Sequence, residues 1–150
     1  MAVPVKVGND AKIATLGELW AGGGKGYNNL VMITLGTGVG GGIIVNRQII
    51  NGAIGAAGEI GHMHINDAEE VTCGCGCKGC LEQYISATGI ANLAAKRLTK
   101  DNAPSILRDF PSATAKEVFD AAKANDAVAL EIANEFGKYL GTALAMVSAS

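Results

Sequence analysis

The stretch VTCGCGCKGCLEQY, residues 71–84, packs all four cysteines of a 150-residue chain into the interval from Cys73 to Cys80. Cys73, Cys75 and Cys77 alternate with other residues, a spacing poorly suited to pairing among themselves, and the opening MAVPVKVGND lacks the apolar core of a secretory leader. Disulfides are the weaker reading. Thiolates gathered on glycine-rich turns, here Gly74, Gly76 and Gly79, are the donor set of a structural zinc site, commonly four Cys or three Cys and one His in a tetrahedron. His62 and His64 lie upstream, and as i, i+2 neighbours on an extended segment both are expected to point to one side. Four cysteines and two histidines exceed four positions, so at least two are spare. Free thiols or redox chemistry are the alternative.

Outward from this run the chain divides in character. Up to about Tyr84 it is rich in glycine, 21 residues in the whole chain, concentrated between Gly22 and Gly79 where backbone must come close to something. From Ser86 onward it is alanine-rich and helical in pattern. In NDAKIATLGELWAGGGKG, residues 9–26, Asn9 and Asp10 are cap candidates; Ile13, Leu16 and Trp20 follow at helical spacing before the Gly22–Gly24 stop. NNLVMITLG and GGIIVNRQIING read as two strands of an antiparallel hairpin turning at TGVG, with both faces covered. Helices are predicted near Leu81–Ser86, Ala87–Leu98, Ala113–Ala124 and Asp126–Ala149, with TKDNAPSILRDFPS as the longest connection. The last of these is still apolar at Ser150, which is not how a complete domain usually ends.

Composition narrows the partners. A hydrophobic content of 49% suits one globular body, and a net charge of -2 with scattered Lys and Arg offers no face for nucleic acid. No apolar run approaches the ~18–20 residues that cross a bilayer, so no membrane partner and a cytoplasmic location are expected. TLGTGVGGGIIV can present backbone N–H groups to phosphate, yet there is no GxxxxGK[ST], and Lys25 lacks the following Ser or Thr. A glycine hairpin packed on a neighbouring helix accounts for it equally well. In GAAGEIGHMHI, Glu59 and His62 sit among small residues that admit a ligand, although a lone exposed Glu is usually solvated surface.

The order and content of these segments carry more than each does singly. Asn9-Asp10-Ala11, LGTGVGGGI, GAAGEIGHM and CGCGCKGCLE, in succession, resemble the ROK family of sugar kinases and sugar-responsive repressors, densely from Val3 to about Gly89; the CxCGxxGCxE pattern is the most specific part. The resemblance implies an α/β, actin-like (RNase H-like) ATPase fold. It implies that residues 1–150 form most of the second lobe of a two-lobed sugar kinase, with a zinc-binding loop. The first lobe with its Asp-x-Gly-Gly-Thr phosphate loop, and the glycine-rich segment bordering the adenosine, would then lie outside. By the same resemblance His62, Cys73, Cys75 and Cys80 hold a structural zinc, while Cys77 falls on a variable position.

Asp10 matches the base that takes the proton of the attacking sugar hydroxyl, and Asn9, Asp10, Glu59, His62 and Glu82 match sugar-contacting positions. Gly36, Thr37, Gly38, Val39 and Gly40 match the loop near the nucleotide phosphates. ATP, Mg2+ and a hexose, glucose first, are the implied cofactors and substrate, with a homodimer for the full-length protein and little activity in this segment alone. A base at Asp10 agrees with elementary chemistry, since a helix N-terminus stabilises the carboxylate and phosphoryl transfer depends on positioning, but from that residue alone a helix cap is the favoured reading. Lys12 departs from the family, which often reads Asn there. Two other functions stay open: the sugar-sensing part of a repressor, and a zinc-stabilised interaction module without catalysis.

Overall fold

The computed structural model describes Val3 and residues 7–149 as an α/β chain of two units, Met1–Thr34 with Gly40–Ile60, and Leu35–Val39 with Gly61–Ser150.

The first unit joins helix α1 (Asp10–Ala21) to a three-stranded sheet of order β1-β2-β3, with β1 at Leu30–Leu35, β2 at Val39–Val45 and β3 at Gln48–Ile49. Between α1 and β2 the contact is made by small residues. A Cβ added at Gly40 would meet Ala11 Cβ at 2.8 Å, and one at Gly42 would meet Thr15 Cβ at 2.7 Å, so helix and strand touch almost backbone to backbone. Ala11, Thr15 and Leu19, spaced by one turn, are therefore the buried face of α1. The apolar stripe of larger residues lies outside, with Ile13 and Trp20 55% and 83% exposed. Strand β1 likewise has no buried residue, so the expectation of a hairpin covered on both faces fails there.

The segment GGIIVNRQIING is not one strand. It turns at Asn46 and Arg47, with φ of 50° and 63°, the two positive angles of a type I′ hairpin that pairs Ile44 with Ile49 and Val45 with Gln48. Asparagines upstream stabilise this turn: Asn29 Oδ1 accepts the Asn46 N–H at 2.9 Å and the Asn28 carbonyl accepts that of Arg47 at 2.7 Å.

The second unit is built from α2 (Glu82–Ile85), α3 (Ala87–Lys100), α4 (Ala115–Lys123) and α5 (Ala127–Ser148), the four helices that the sequence pattern predicts, with ends shifted by no more than two residues. Leu81, Ile85, Ala94, Val118, Ala129 and Ile132 are fully or almost fully buried where these helices meet, and Leu107 joins them from a 3-10 turn, Ile106–Asp109, inside the long connection. Phe119 and Phe136 meet edge to face at 5.4 Å, and Tyr84 stacks on Tyr139 at 4.1 Å. Ser86 caps α3 by accepting from Gly89 N, and Thr114 and Glu117 form the capping box of α4. No described helix is long and apolar enough to cross a membrane.

Asp126 is the busiest cap. Its carboxylate accepts from Ala129 N at 2.9 Å, starting α5, and from Ile106 N at 2.6 Å and Ser105 Oγ at 3.0 Å, tying the 3-10 turn to that helix. Burial pushes its pKa up, but these hydrogen bonds outweigh burial and hold the carboxyl below the ordinary range. A depressed native pKa adds stability that is complete above the unfolded value of ~3.9 and is lost as pH falls through the lower native one. Asp126→Ala should cost about 2–3 kcal/mol in urea unfolding at pH 7, the sum of a lost cap and a lost buried hydrogen bond. The gap from wild type should narrow below about pH 4; an unchanged gap at low pH would show that the charge contributes nothing.

Candidate functional site

In the second unit the cysteine run folds into a tight loop. Cys73 N donates to the Cys77 carbonyl at 2.7 Å, Gly76 N donates to that of Cys73 at 2.9 Å, and Thr72 bridges Lys78. The far end crosses the histidine segment, with Ile65 N donating to the Gly79 carbonyl at 2.8 Å and Leu81 N to that of Met63 at 2.9 Å. Gly79 has φ +69°, and a Cβ there would collide with the Asn66 carbonyl, so only glycine allows the crossing. Gln83 then clamps the loop to α2, its Oε1 accepting from Cys80 N at 3.0 Å and its Nε2 donating to the Val71 carbonyl at 2.9 Å.

The crossing brings four donors together. One ligand atom each of His62, Cys73, Cys75 and Cys80 lies within 4.8 Å of the other three. Cys75 and Cys80 sulfurs are 3.6 Å apart, and His62 Nδ1 is 3.9 Å from Cys73 Sγ. The edge of a zinc–thiolate tetrahedron with ~2.3 Å bonds is about 3.8 Å, so three thiols and one imidazole at these separations fit such a cation. Cys77 is exposed and outside the cluster, and all four cysteines are free thiols.

The two histidines part ways, contrary to the expectation of a shared side. His62 ends a 3-10 turn, Ile60–His62, where the alternation of an extended strand does not apply. His64 is held by the protein on both ring nitrogens, Nδ1 at 2.9 Å from the Lys78 carbonyl and Nε2 at 2.7 Å from Asp67 Oδ1, and these contacts, Asp67 first, raise its pKa. Among the thiols, the Cys77 backbone N–H and then the Cys80 sulfur lower the pKa of Cys75, whereas burial pushes Cys80 up to about 12.

Glu82, at the start of α2, is half-buried and its Oε2 accepts the Val39 N–H at 2.8 Å. The turn 36–39 is thereby tied down, with Ala87 N donating to the Gly36 carbonyl at 2.8 Å and Thr88 Oγ1 to that of Thr37 at 3.2 Å. Gly40 lies in β2 and in the first unit, where its missing side chain admits Ala11. A 740 Å³ hollow in the second unit is bordered by Thr37, Glu69, Glu82, Asn92, Lys96 and Tyr139. At its wall Tyr84 donates to Glu69 at 2.7 Å; burial and then Glu69 raise the phenol's pKa, while that hydrogen bond lowers the carboxylate's.

In the first unit Asn9 is the N-cap of α1, its Oδ1 accepting from Lys12 N at 3.1 Å. Asp10 stands in the first turn, exposed, and among the described residues its carboxylate accepts one hydrogen bond, from Ala11 N at 2.9 Å. Lys12, buried, donates from Nζ to the Gly55 carbonyl at 2.6 Å, and no described carboxylate lies within ion-pair distance of it. Glu59 is exposed at the end of the loop that contains Gly55. Sequence reading missed the Lys12 contact and the Glu82 tie, for which the only signal was a charged residue inside a motif.

The ROK family model matches residues 1–150, and the chain belongs to the ROK family. It is 48% identical over 146 residues to the glucokinase of Halalkalibacterium halodurans, covering 95% of this chain and 44% of that protein. A ROK family glucokinase from Streptomyces griseus, solved with glucose and AMPPNP, superposes with a TM-score of 0.83 at 36% identity over 98% of this chain and 49% of that one. A ROK family transcriptional regulator, a homolog of the E. coli MLC protein, gives 0.83 at 32% identity over 97% of this chain and 36% of its own. The chain thus spans about half the length of the kinases it matches or less.

Thiolate, not thiol, reacts with alkylating agents. With chelator present, iodoacetamide at pH 7.5 should therefore modify exposed Cys75 at least ~10-fold faster than buried Cys80. Mass spectrometry showing the reverse order would contradict this thiol arrangement.

Proposed function

We propose that this segment supplies the base, sugar contacts and zinc-braced loop of an ATP-dependent hexose kinase with the actin-like ATPase fold, glucose being the first substrate to test. The observation that carries this reading is the division of labour at α1: Asn9 takes the cap, and the adjacent Asp10 carboxylate is left exposed, with a single backbone partner among the described residues. As a sugar hydroxyl oxygen attacks the γ-phosphorus, its proton passes to Asp10 and the bond from that phosphorus to the ADP oxygen breaks. Asn9 and Glu59 are the first unit's candidates for hydroxyl groups. In the second unit Glu82 keeps one oxygen for a hydroxyl while the other holds Val39, and His62 keeps Nε2 while Nδ1 faces the sulfurs. Glycines 36 and 38, Thr37, Val39 and Gly40 remain the candidates near the nucleotide phosphates, with Mg2+ accompanying ATP.

Zinc on His62, Cys73, Cys75 and Cys80 would be structural, adding stability and no reaction chemistry. The full-length protein is expected to be a two-lobed homodimer, and this segment alone to turn over little, because preorganised charge around the transferred group is the largest catalytic term. A second reading, the sugar-sensing part of a repressor, draws on the likeness to the MLC homolog. The higher identity to a glucokinase, 48%, favours the kinase.

Metal analysis should find one zinc per chain. Cys77→Ser should keep it and Cys75→Ser should release it; equal release from both would overturn the ligand set. In a full-length ROK kinase carrying this segment, Asp10→Asn should lower kcat by about 10²–10⁴-fold with a much smaller change in KM. Because Asn9 retains the cap, helix stability should not change, and a normal kcat would remove the catalytic assignment. Sugar-dependent DNA binding by the full-length protein, without phosphorylation, would establish the repressor.

A further inference from the structure

Lys12 is placed at a cost. It lies in the first turn of α1, where the positive end of the helix dipole disfavours a cation, and it is only 8% exposed. Its compensation is one charge-assisted hydrogen bond, from Nζ to the Gly55 carbonyl at 2.6 Å, reaching across 43 residues of sequence. The recipient is a segment that needs fixing. Gly52, Gly55 and Gly58 all have positive φ, 74°, 82° and 88°, and such a backbone is free to leave its conformation when nothing holds it. At its far end Gly58 is wedged against Gly41, whose carbonyl a Cβ would meet at 2.8 Å, and Ala57 N donates to the Asn51 carbonyl at 3.1 Å. Among the described residues, Lys12 makes the one side-chain hydrogen bond to residues 52–58.

We propose that Lys12 is a positioning residue for sugar binding: by stapling the apex of the 52–58 loop to the first turn of α1, it fixes the carboxylate of Glu59, the next residue, relative to Asn9 and Asp10. The inference rests on the proposed role of Glu59 as a sugar contact. An asparagine at position 12 has too short a side chain to reach across in the same way, so a chain with Asn there must hold this loop by other means. Lys12 touches neither sugar nor phosphate in this scheme and acts only through Gly55.

Two measurements test it. In the 150-residue chain, hydrogen exchange of the peptide covering residues 52–58 should quicken at least ~10-fold in Lys12→Met, because local opening then lacks the staple, and return toward wild type in Lys12→Arg, which restores a cationic donor. In a full-length ROK kinase carrying the segment, Lys12→Met should raise the sugar KM about 10-fold with kcat within about 3-fold, Lys12→Arg should recover most of the loss, and Glu59→Gln should add little further in the Lys12→Met background. If Lys12→Met does not fold, Lys12→Gln, uncharged and shorter, serves for both. Unchanged exchange would overturn the staple, and quickened exchange with an unchanged KM would overturn its role in sugar binding. Should Glu59→Gln alone leave KM unaltered, the sugar assignment of Glu59 fails and the positioning proposal with it, while the exchange result still reports the staple by itself.

Discussion

Strand β2 has no room for a side chain at three successive positions, and the first unit depends on that. Gly40 and Gly42 admit Ala11 and Thr15 of α1, and Gly41 admits Gly58 on the opposite side. A helix held this closely cannot slide or roll, so its first turn, with Asn9 capping and Asp10 beside it, has a fixed place over the sheet. The same strand anchors the loop that leads to Glu59. Van der Waals contact at this distance is what a close-packed interior rewards, and a single methyl at Gly42 would require the helix to shift.

The second unit solves a different problem, that of giving a short, polar, glycine-rich loop a definite shape. It does so by crossing: residues 63–65 bind the backbone of residues 79–81, Gln83 binds both ends of the cysteine run, and four donors converge as a result. The choice between the histidines follows from the same geometry. Once Lys78 and Asp67 have occupied both nitrogens of His64, His62 is the histidine left to face the sulfurs.

Much of this was legible in sequence, and the failures have physical causes. The cap at Asn9 and the four later helices follow local rules of spacing and capping, and they lie close to where those rules put them. The helical spacing of Ile13, Leu16 and Trp20 marks the helix but not its buried face; against a glycine strand Ala11 and Thr15 go inside with Leu19, and Ile13 and Trp20 stay out. The Asn46–Arg47 turn lacks the glycine that usually signals a type I′ hairpin, and only the distant Asn28 and Asn29 explain it. Glu82 holding Val39 and Lys12 holding Gly55 each join positions 43 residues apart, beyond any local pattern.

The turn 36–39 lies between two strands of the first unit in sequence, yet its anchors, Glu82 and Ala87, come much later in the chain. A ribosome therefore delivers every residue of the first sheet, and of the helix packed on it, before it delivers either anchor. During synthesis the sheet can close while its own hairpin tip is still untethered. Local contacts form faster than those that close long loops, so the tip is expected to be among the last parts of the molecule to set. An interrupted chain ending before Glu82 would expose that unfinished tip to proteases.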